Sequence, residues 1–474
     1  MELRITSAQL RRLLPEERDG TAAYVHLATA VRALILDGRL PLGARLPAER
    51  DLAAALGLSR TTVAAAYRLL RTNGYLLSRR GAGTFSTFPA EPAAQPAWLP
   101  LEGDTDTIDL SVAAPRPNAE LIAAAAAAAA AQLPRHLADD GYHVLGIPPL
   151  REVVAESYRR RGLPTAAGQI AITAGVQGAL ALLTRTLLSP GAPTLVESPT
   201  YPNALDAFRA ASARLLTVPV ETGTWDDDLV ESAFRQTLPR LAYLIPEFHN
   251  PTGQLMPEST RQTVVRAARA AGTHLVVDES LLGLAVAPGL PQPPPVAALD
   301  PERVISIGGL SKSIWGGIRI GWIRASASLV QQIGAARPSL DIANPVLDQL
   351  LAVELLARLD EILPAQRERL AARLATLTET FNALPGWRLL PPQGGLSAWV
   401  ALDCSSTALT TAAAEEGVRI VPGPRFGTDG ALERFVRFPY ALPSAQLQEA
   451  TARLARAREH VPTLATAVDS GWVL

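Results

Sequence analysis

The chain has 474 residues, too many for one ordinary core at roughly 100 to 200 residues per domain, so two or three domains are expected. It is 48% apolar and 19% charged with a mean hydropathy of +0.14, which excludes intrinsic disorder as its main character. The formal charge of -1 hides an asymmetry: residues 1–86 hold 13 Arg against 7 acidic residues, while the remainder holds 31 Lys+Arg against 38 acidic residues. A small basic module is joined to a large acidic one. The longest uninterrupted apolar run, Leu121–Ala131, falls short of the roughly 18 residues of a membrane span, so a soluble chain with no membrane partner is expected. The N-terminus carries Glu2, Glu16 and Glu17 and no apolar core, and reads as neither secretory signal nor transit peptide. A cytoplasmic location is the default expectation. One cysteine, Cys404, excludes an internal disulfide and any Cys-based site, and no metal is expected.

In chain order, Tyr24–Asp37 repeats apolar residues at helical spacing and is followed by the turn formers Gly38 and Pro41–Gly43. Leu46–Leu56 reads as a second short helix, Gly57-Leu58 as a turn, and Ser59 as the N-cap of a third helix ending near Asn73. Tyr75–Leu77, then Ser78–Phe85, read as two short strands around a Gly-containing turn, which completes a winged helix-turn-helix. Residues 87–107 carry four prolines and little periodicity and read as a semi-extended linker. This sets the expected domains: 1–86, a linker at 87–107, and 108–474.

Beyond the linker, helical stretches alternate with short apolar strands at Gln169–Thr173, Thr194–Glu197, Arg214–Val218, Leu241–Ile245, His274–Asp278 and Val304–Ile307. That rhythm predicts an α/β domain with a mostly parallel sheet. Ala123–Ala131 is low complexity and predicted helical. After about Asn344, helical patterns with strands at Gly395–Leu402 and Phe435–Phe438 predict a smaller α+β domain.

The third helix of the small module carries the features expected of a DNA contact. Ser59, Arg60, Thr61 and Thr62 lie in its first turn, where free N–H groups and the helix dipole favour a phosphate and short side chains permit approach to the major groove. Arg50 on the preceding helix and Arg79, Arg80 and Gly81 on the wing add backbone contacts. A helical hairpin packed on the next domain is the plainer reading of a bare helix-turn-helix pattern. However, Leu46-Pro-Ala-Glu-Arg-Asp-Leu-Ala, Ser59-Arg-Thr-Thr-Val, Tyr67-Arg-Leu-Leu, Gly74-Tyr-Leu and Gly81-x-Gly-Thr-Phe85 together closely resemble the GntR-type winged helix, over about 65 residues. The partner this implies is double-stranded operator DNA.

Of the 44 cationic residues one alone is lysine, Lys312, in Gly309-Leu-Ser311-Lys312 just past the strand Val304–Ile307. That position is the carboxyl end of a parallel sheet, where α/β ligands bind. An amine that can lose its proton forms a Schiff base, which a guanidinium cannot. Asp278 ends another strand and is suited to hold a pyridinium nitrogen protonated. Asn250, in His249-Asn-Pro-Thr-Gly253, can donate to a ring oxygen. Thr173-Ala-Gly175-Val176-Gln177 lies between strand and helix and offers N–H groups to a phosphate. Singly, each feature has a mundane reading as a turn, a helix cap or a surface lysine.

Together they closely resemble the fold type I pyridoxal-phosphate aminotransferases, over roughly residues 108–460. The resemblance implies pyridoxal 5'-phosphate as cofactor and Lys312 as the catalytic lysine that binds it. It also implies Asp278 at the pyridine nitrogen, Asn250 at the ring oxygen, Tyr201 stacked on the ring and Arg319 on the phosphate. Arg437, in Phe435-Val-Arg-Phe-Pro439, matches the arginine for the substrate or effector α-carboxylate. Tyr142 resembles the tyrosine that reaches the neighbouring subunit's phosphate, which implies a homodimer. Two positions depart from the pattern. Asp278 is followed by Glu279, Ser280 and Leu281 where a tyrosine is usual, and Gly309 stands where a serine is frequent.

A GntR-type winged helix joined to such a domain resembles the MocR/GabR type of bacterial transcription regulator, across essentially the whole chain. The resemblance implies a dimeric DNA-binding regulator that senses pyridoxal phosphate, with a small amino compound as a second candidate ligand. The competing reading is an active aminotransferase with an accessory N-terminal module.

Overall fold

The computed structural model of the chain describes residues 3–15, 22–72, 74–79, 82–87, 106–221, 224–428 and 430–463. The small module forms the predicted winged helix-turn-helix from α2 (Ala23–Leu36), α3 (Glu49–Leu56), α4 (Arg60–Thr72) and the antiparallel strands β1 (Leu76–Arg79) and β2 (Gly83–Ser86). Gly57, in the left-handed region at φ 63°, ends α3, and the Ser59 hydroxyl accepts from the Thr62 N–H at 3.0 Å, as expected of an N-cap. Val31, Ile35, Val63 and Leu70 are buried along the faces of α2 and α4, each contributing about 1.5–3 kcal/mol by leaving water. One element was not expected. Helix α1 (Ser7–Leu13) precedes the module, capped by a reciprocal Thr6–Gln9 pair and anchored by the fully buried Leu10. The expected helix Leu46–Leu56 is corrected at its start: α3 begins only at Glu49, because Ala48 before it holds extended backbone and Leu46 and Pro47 lie outside the helix. Arg80, Gly81 and Asn73, and residues 88–105 of the expected linker, lie outside the described residues.

The large part opens with β3 (Ile108–Asp109), α5 (Ala119–Gln132, the alanine-rich run) and α6 (Pro148–Arg160). There follow β4 (Ile170–Thr173), α7 (Gly175–Leu187), β5 (Pro193–Ser198), α8 (Pro202–Ala210) and β6 (Arg214–Glu221). Next come β7 (Thr224–Trp225), α9 (Asp227–Thr237), β8 (Leu241–Leu244), α10 (Glu258–Ala271), β9 (His274–Asp278), β10 (Val304–Gly309) and β11 (Gly321–Arg324). One sheet takes them in the order β4-β11-β10-β9-β8-β5-β6-β7, parallel from β10 through β6. The strand β11 is antiparallel to both neighbours, and periodicity did not announce it, since Gly321–Arg324 is short. Two apolar clusters pack on the faces of this sheet.

The chain then passes through α11 (Ala327–Ala336), α12 (Val346–Leu356) and α13 (Leu359–Asn382) into the expected small α+β domain. Its strands are β12 (Arg388–Leu390), β13 (Ser397–Ala401), β14 (Val418–Arg419), β15 (Val421–Pro422) and β16 (Phe435–Pro439), with α14 (Ser406–Glu415) and α15 (Ser444–Glu459) beside them. The antiparallel order is β12-β13-β16-β15, while β14 pairs with β3. No helix among the described residues is long and apolar enough to cross a membrane.

Candidate functional site

A cavity of about 310 Å³ lies at the carboxyl ends of the parallel strands, lined by Val176, Gln177, Tyr201, Asn250, Asp278, Ser311, Lys312, Arg319 and Arg437. All of these were expected at the site from sequence. Gly175 stands directly beneath Arg319, and Tyr142 alone lies elsewhere, 65% exposed on a loop outside the lining.

Lys312 follows β10 by three residues and donates a 2.7 Å hydrogen bond to the Ala113 carbonyl. Burial first, and then the positive Arg437, pull its amine down to about 8. Asp278 ends β9. Its Oδ2 accepts from the Tyr243 hydroxyl at 2.7 Å, and its Oδ1 accepts from both the Ser280 N–H, at 2.8 Å, and the Ser280 hydroxyl. Burial raises its pKa, while these donors oppose the rise. A carboxylate has about four acceptor sites, so three donors leave room for a ring N–H.

The N-terminus of α7 supplies the anion end. Its N-cap, Ala174, makes no side-chain cap, so the first N–H groups are free for a ligand. Gly175 is required here: its φ is +68°, and a Cβ would meet the Arg319 guanidinium at 3.2 Å. Arg319 is tied to the same turn by a 3.0 Å bond from Nη2 to the Ala174 carbonyl. Gly309 has a packing reason as well, since a Cβ would stand 3.1 Å from the Ile320 carbonyl. The Gln177 amide nitrogen donates to the Asn203 carbonyl at 3.2 Å, leaving its oxygen buried and unpaired; the Asn250 side-chain oxygen is buried and unpaired too. Tyr201 caps α8 beside the cavity, its hydroxyl pushed up to about 12 by burial and by Asp278.

Arg437, on β16, is 7% exposed. Its Nη2 donates to the Ser111 carbonyl, its Nε is unpaired, and its guanidinium carbon lies 5.1 Å above the Phe426 ring centre. Burial lowers its pKa to about 10, so it stays charged at neutral pH. A second space joins this end, lined by Ser111, Asn203, Arg425 and Phe426 together with Arg437. Sequence reasoning missed Tyr243, Ser280, Phe426 and the carbonyls of Ser111 and Ala113. Backbone carbonyls leave no residue-type signal. Tyr243 was detectable only as a tyrosine inside an otherwise aliphatic strand.

The residues fit a phosphorylated pyridine aldehyde: an amine of lowered pKa, a buried carboxylate with capacity to spare, an uncapped helix start with an arginine above it, and the amide side chain of Asn250, whose N–H groups can donate to a ring oxygen. Among the described residues, no group of three or more His, Cys, Asp or Glu is gathered as for a metal.

In the small module, Arg50, Ser59, Arg60, Thr61 and Arg79 are exposed and Thr62 is half-buried. The Ser59 hydroxyl lies 2.7 Å from that of Thr61 and 2.8 Å from that of Thr62, so the first turn of α4 is ordered by its own side chains. Arg79 crosses the Phe85 ring at 5.0 Å.

These geometries define a pyridoxal-phosphate-type pocket on an α/β scaffold that also carries a winged helix. The chain belongs to the class I and II aminotransferase family, whose model matches residues 105–454, and residues 23–85 match the gntR family of bacterial regulatory proteins. It is 33% identical over 324 residues to the 2-aminoadipate transaminase of Thermus thermophilus, covering 66% of this chain and 79% of that one. It is 30% identical over 472 residues to the HTH-type transcriptional regulator TauR of Rhodobacter capsulatus, covering 89% of this chain and 94% of that one. Among solved structures, LysN, an α-aminoadipate aminotransferase from Thermus thermophilus complexed with N-(5'-phosphopyridoxyl)-L-leucine, matches with a TM-score of 0.68. Identity there is 31%, over 75% of this chain and 93% of that one. A GntR module fused to a pyridoxal-phosphate-dependent, aminotransferase-like domain makes the chain a DNA-binding transcriptional regulator.

Proposed function

We propose that residues 1–86 grip operator DNA, that residues 108–474 hold pyridoxal 5'-phosphate at Lys312, and that a small amino compound bearing a carboxylate is the signal. Residues 87–107 join the two. The observation that carries the reading is a single cavity gathering Lys312, Asp278 and Arg437 in a chain whose other end is a winged helix. When bound, the cofactor supplies a carbonyl for amine exchange and an electron sink.

The chain's own residues have distinct tasks. Asp278 holds a proton on the ring nitrogen, Asn250 faces the ring oxygen, Tyr201 covers the ring, and Arg319 with Gly175, Val176 and Gln177 holds the phosphate beside Ser311. Arg437 is the effector anchor: it is a buried cation whose hydrogen-bond partner is one backbone carbonyl, and a charge-assisted pair with a carboxylate there contributes about 1.5–3 kcal/mol. Arg50, Ser59, Arg60, Thr61, Thr62, Arg79, Arg80 and Gly81 meet the DNA. Tyr142 serves the phosphate of a second copy, so the working form is a homodimer in the cytoplasm.

Leu281 lines the cavity where a tyrosine hydroxyl is usual, which slows proton transfer and makes transamination weak. The second reading, an active aminotransferase with an accessory module, is favoured by the likeness to 2-aminoadipate transaminase. Selecting bound sequences from random DNA with wild-type and Lys312→Ala protein, with and without cofactor, separates the two. A consensus site whose affinity depends on cofactor only in wild type supports the regulator. Rapid turnover with no enriched sequence supports the enzyme.

A further inference from the structure

The small module packs on the large part at α9, where Arg12 reaches Asp228 and the Arg4 N–H donates to Gln236, and at the connection between β15 and β16, residues 423–434. At its far end, the Arg434 guanidinium holds Asp37, at the end of α2, through Nε at 3.0 Å and Nη2 at 2.7 and 2.6 Å from the two carboxylate oxygens. The Leu432 N–H donates to the Leu36 carbonyl at 2.5 Å, satisfying one of the helix-end carbonyls that lack a partner within α2. Gly38 is required at this contact, since a Cβ there would come within 2.7 Å of the Leu432 side chain. Leu432 itself sits at φ +75°, a conformation disfavoured for a bulky side chain, and is 1% exposed. Its docking on α2 therefore opposes a local backbone preference.

The near end of the same segment belongs to the pocket. Phe426 is fully buried under the Arg437 guanidinium, and its carbonyl accepts from the Thr200 N–H at 2.9 Å, next to Tyr201. Arg425 pairs with Asp206 on α8, with Nη2 at 2.5 Å from Oδ2, and Arg209 of that helix donates to the Thr428 carbonyl at 2.7 Å. Phe426 and Leu432 share one apolar cluster, which also touches Leu42 of the small module.

We propose that residues 423–428 and 430–434 form the coupling strap of the molecule, transmitting the state of Arg437 to the docking of the DNA-binding module on Arg434. This rests on the regulator reading above. A carboxylate arriving at Arg437 draws the guanidinium away from Ser111 and from the face of Phe426. Because Phe426 and Leu432 pack in the same close-packed cluster, a shift at Phe426 is carried to Leu432 through their side chains. Helix α2 lies against α4, the helix with the DNA-facing turn, so its release or tilt re-aims Arg60 and Thr61.

The test uses full-length protein, the DNA site selected above, and N-(5'-phosphopyridoxyl)-L-leucine as a stable probe that carries ring, phosphate and α-carboxylate together. In wild type, exchanging bound cofactor for the probe is expected to change amide exchange at Leu432 and to change DNA affinity by about 5- to 150-fold. In Arg434→Ala the lysine-dependent visible band of the cofactor persists, while the probe's effect on DNA falls below about twofold. The doubly exchanged Asp37→Arg, Arg434→Asp protein regains it. A full response in Arg434→Ala overturns the strap, and so does unchanged exchange at Leu432 in wild type while DNA affinity moves. The wild-type exchange experiment decides even where a variant fails to fold. Wild type lacking the visible band or selecting no DNA site is a separate failure, that of the regulator reading, and removes the strap with it.

Discussion

The Tyr243 hydroxyl reaches across from β8 to Asp278 on β9, giving a buried carboxylate a 2.7 Å donor in addition to Ser280. Burial favours the neutral acid, and the tyrosine counteracts this by bonding to the anion. Removing the hydroxyl in Tyr243→Phe is expected to raise the Asp278 pKa further and to weaken its hold on a protonated ring. A hydrogen bond to a charged group is worth about 1.5–3 kcal/mol, so cofactor affinity should fall by about 10- to 100-fold. Spectroscopic titration of apoprotein with pyridoxal phosphate measures this, and unchanged affinity would show that Ser280 suffices.

The pH dependence of cofactor capture follows from Lys312. Its amine must be neutral to attack a carbonyl, and its pKa of about 8 means that the neutral fraction grows as pH rises through that value. The rate of appearance of the visible band should therefore climb between about pH 7 and 9 and then level off. Arg437 is one of the cations that depress this pKa, so Arg437→Met should move the midpoint upward. A midpoint near the ordinary lysine value in wild type would contradict the assigned burial of the amine.

Much of the pocket was legible because its chemistry demands particular residue types. Lys312 stood out as the one lysine among arginines, Asp278 ends a strand that an apolar run delimits, and Gly175 starts the helix that follows another such strand. The remaining parts are contacts that residue type does not encode. Lys312 and Arg437 rest on the carbonyls of Ala113 and Ser111, positions any residue could fill. Helix α1 carried a readable Thr6-x-x-Gln9 box, but what anchors it is Leu10 docking in the module's core, with Arg12 reaching Asp228 at the surface at 3.1 Å. The Asp37–Arg434 pair joins residues 397 apart in the chain, beyond the reach of any local pattern.

For DNA recognition, Arg60 is exposed at the start of α4, beside the ordered hydroxyls of Ser59 and Thr61. Arg60→Ala should weaken binding by about 1–3 kcal/mol with relaxed specificity if the guanidinium reads a base. It should instead lower the salt slope by about one unit if it holds a phosphate. Measuring affinity across a salt series distinguishes the two, and unchanged affinity at every salt concentration would remove Arg60 from the interface.

The proposed dimer would present two modules, and linked binding adds avidity only where the linkers can span both half-sites. The selected DNA should therefore contain two directly or inversely repeated half-sites. Inserting five base pairs between them, about half a helical turn, should weaken binding by about tenfold or more by turning one half-site to the opposite face. Equal affinity for the spaced, unspaced and single half-site DNAs would mean that the modules act independently.

Leu281 is where the proposed signalling role and ordinary turnover part ways. Leu281 is 9% exposed and lines the cavity that holds Lys312, at a position where the aminotransferase pattern has a tyrosine. An aliphatic side chain there neither donates a hydrogen bond to the ring oxygen nor helps move a proton, and the neighbouring Ser280 hydroxyl is already committed to Asp278. General acid–base assistance is typically worth about 10²- to 10⁴-fold, so its loss leaves binding intact while slowing chemistry. Leu281→Tyr should accordingly raise single-turnover transamination by about tenfold or more, with little change in cofactor affinity. The larger ring must be accommodated beside Gly395, whose Cβ position lies 3.5 Å from Leu281 Cδ1, so Leu281→Phe is the control for packing alone. If the phenylalanine and tyrosine proteins transaminate equally slowly, the missing hydroxyl is not what limits the reaction. If wild type already matches the tyrosine variant, the pocket is a working enzyme and the second reading gains the ground.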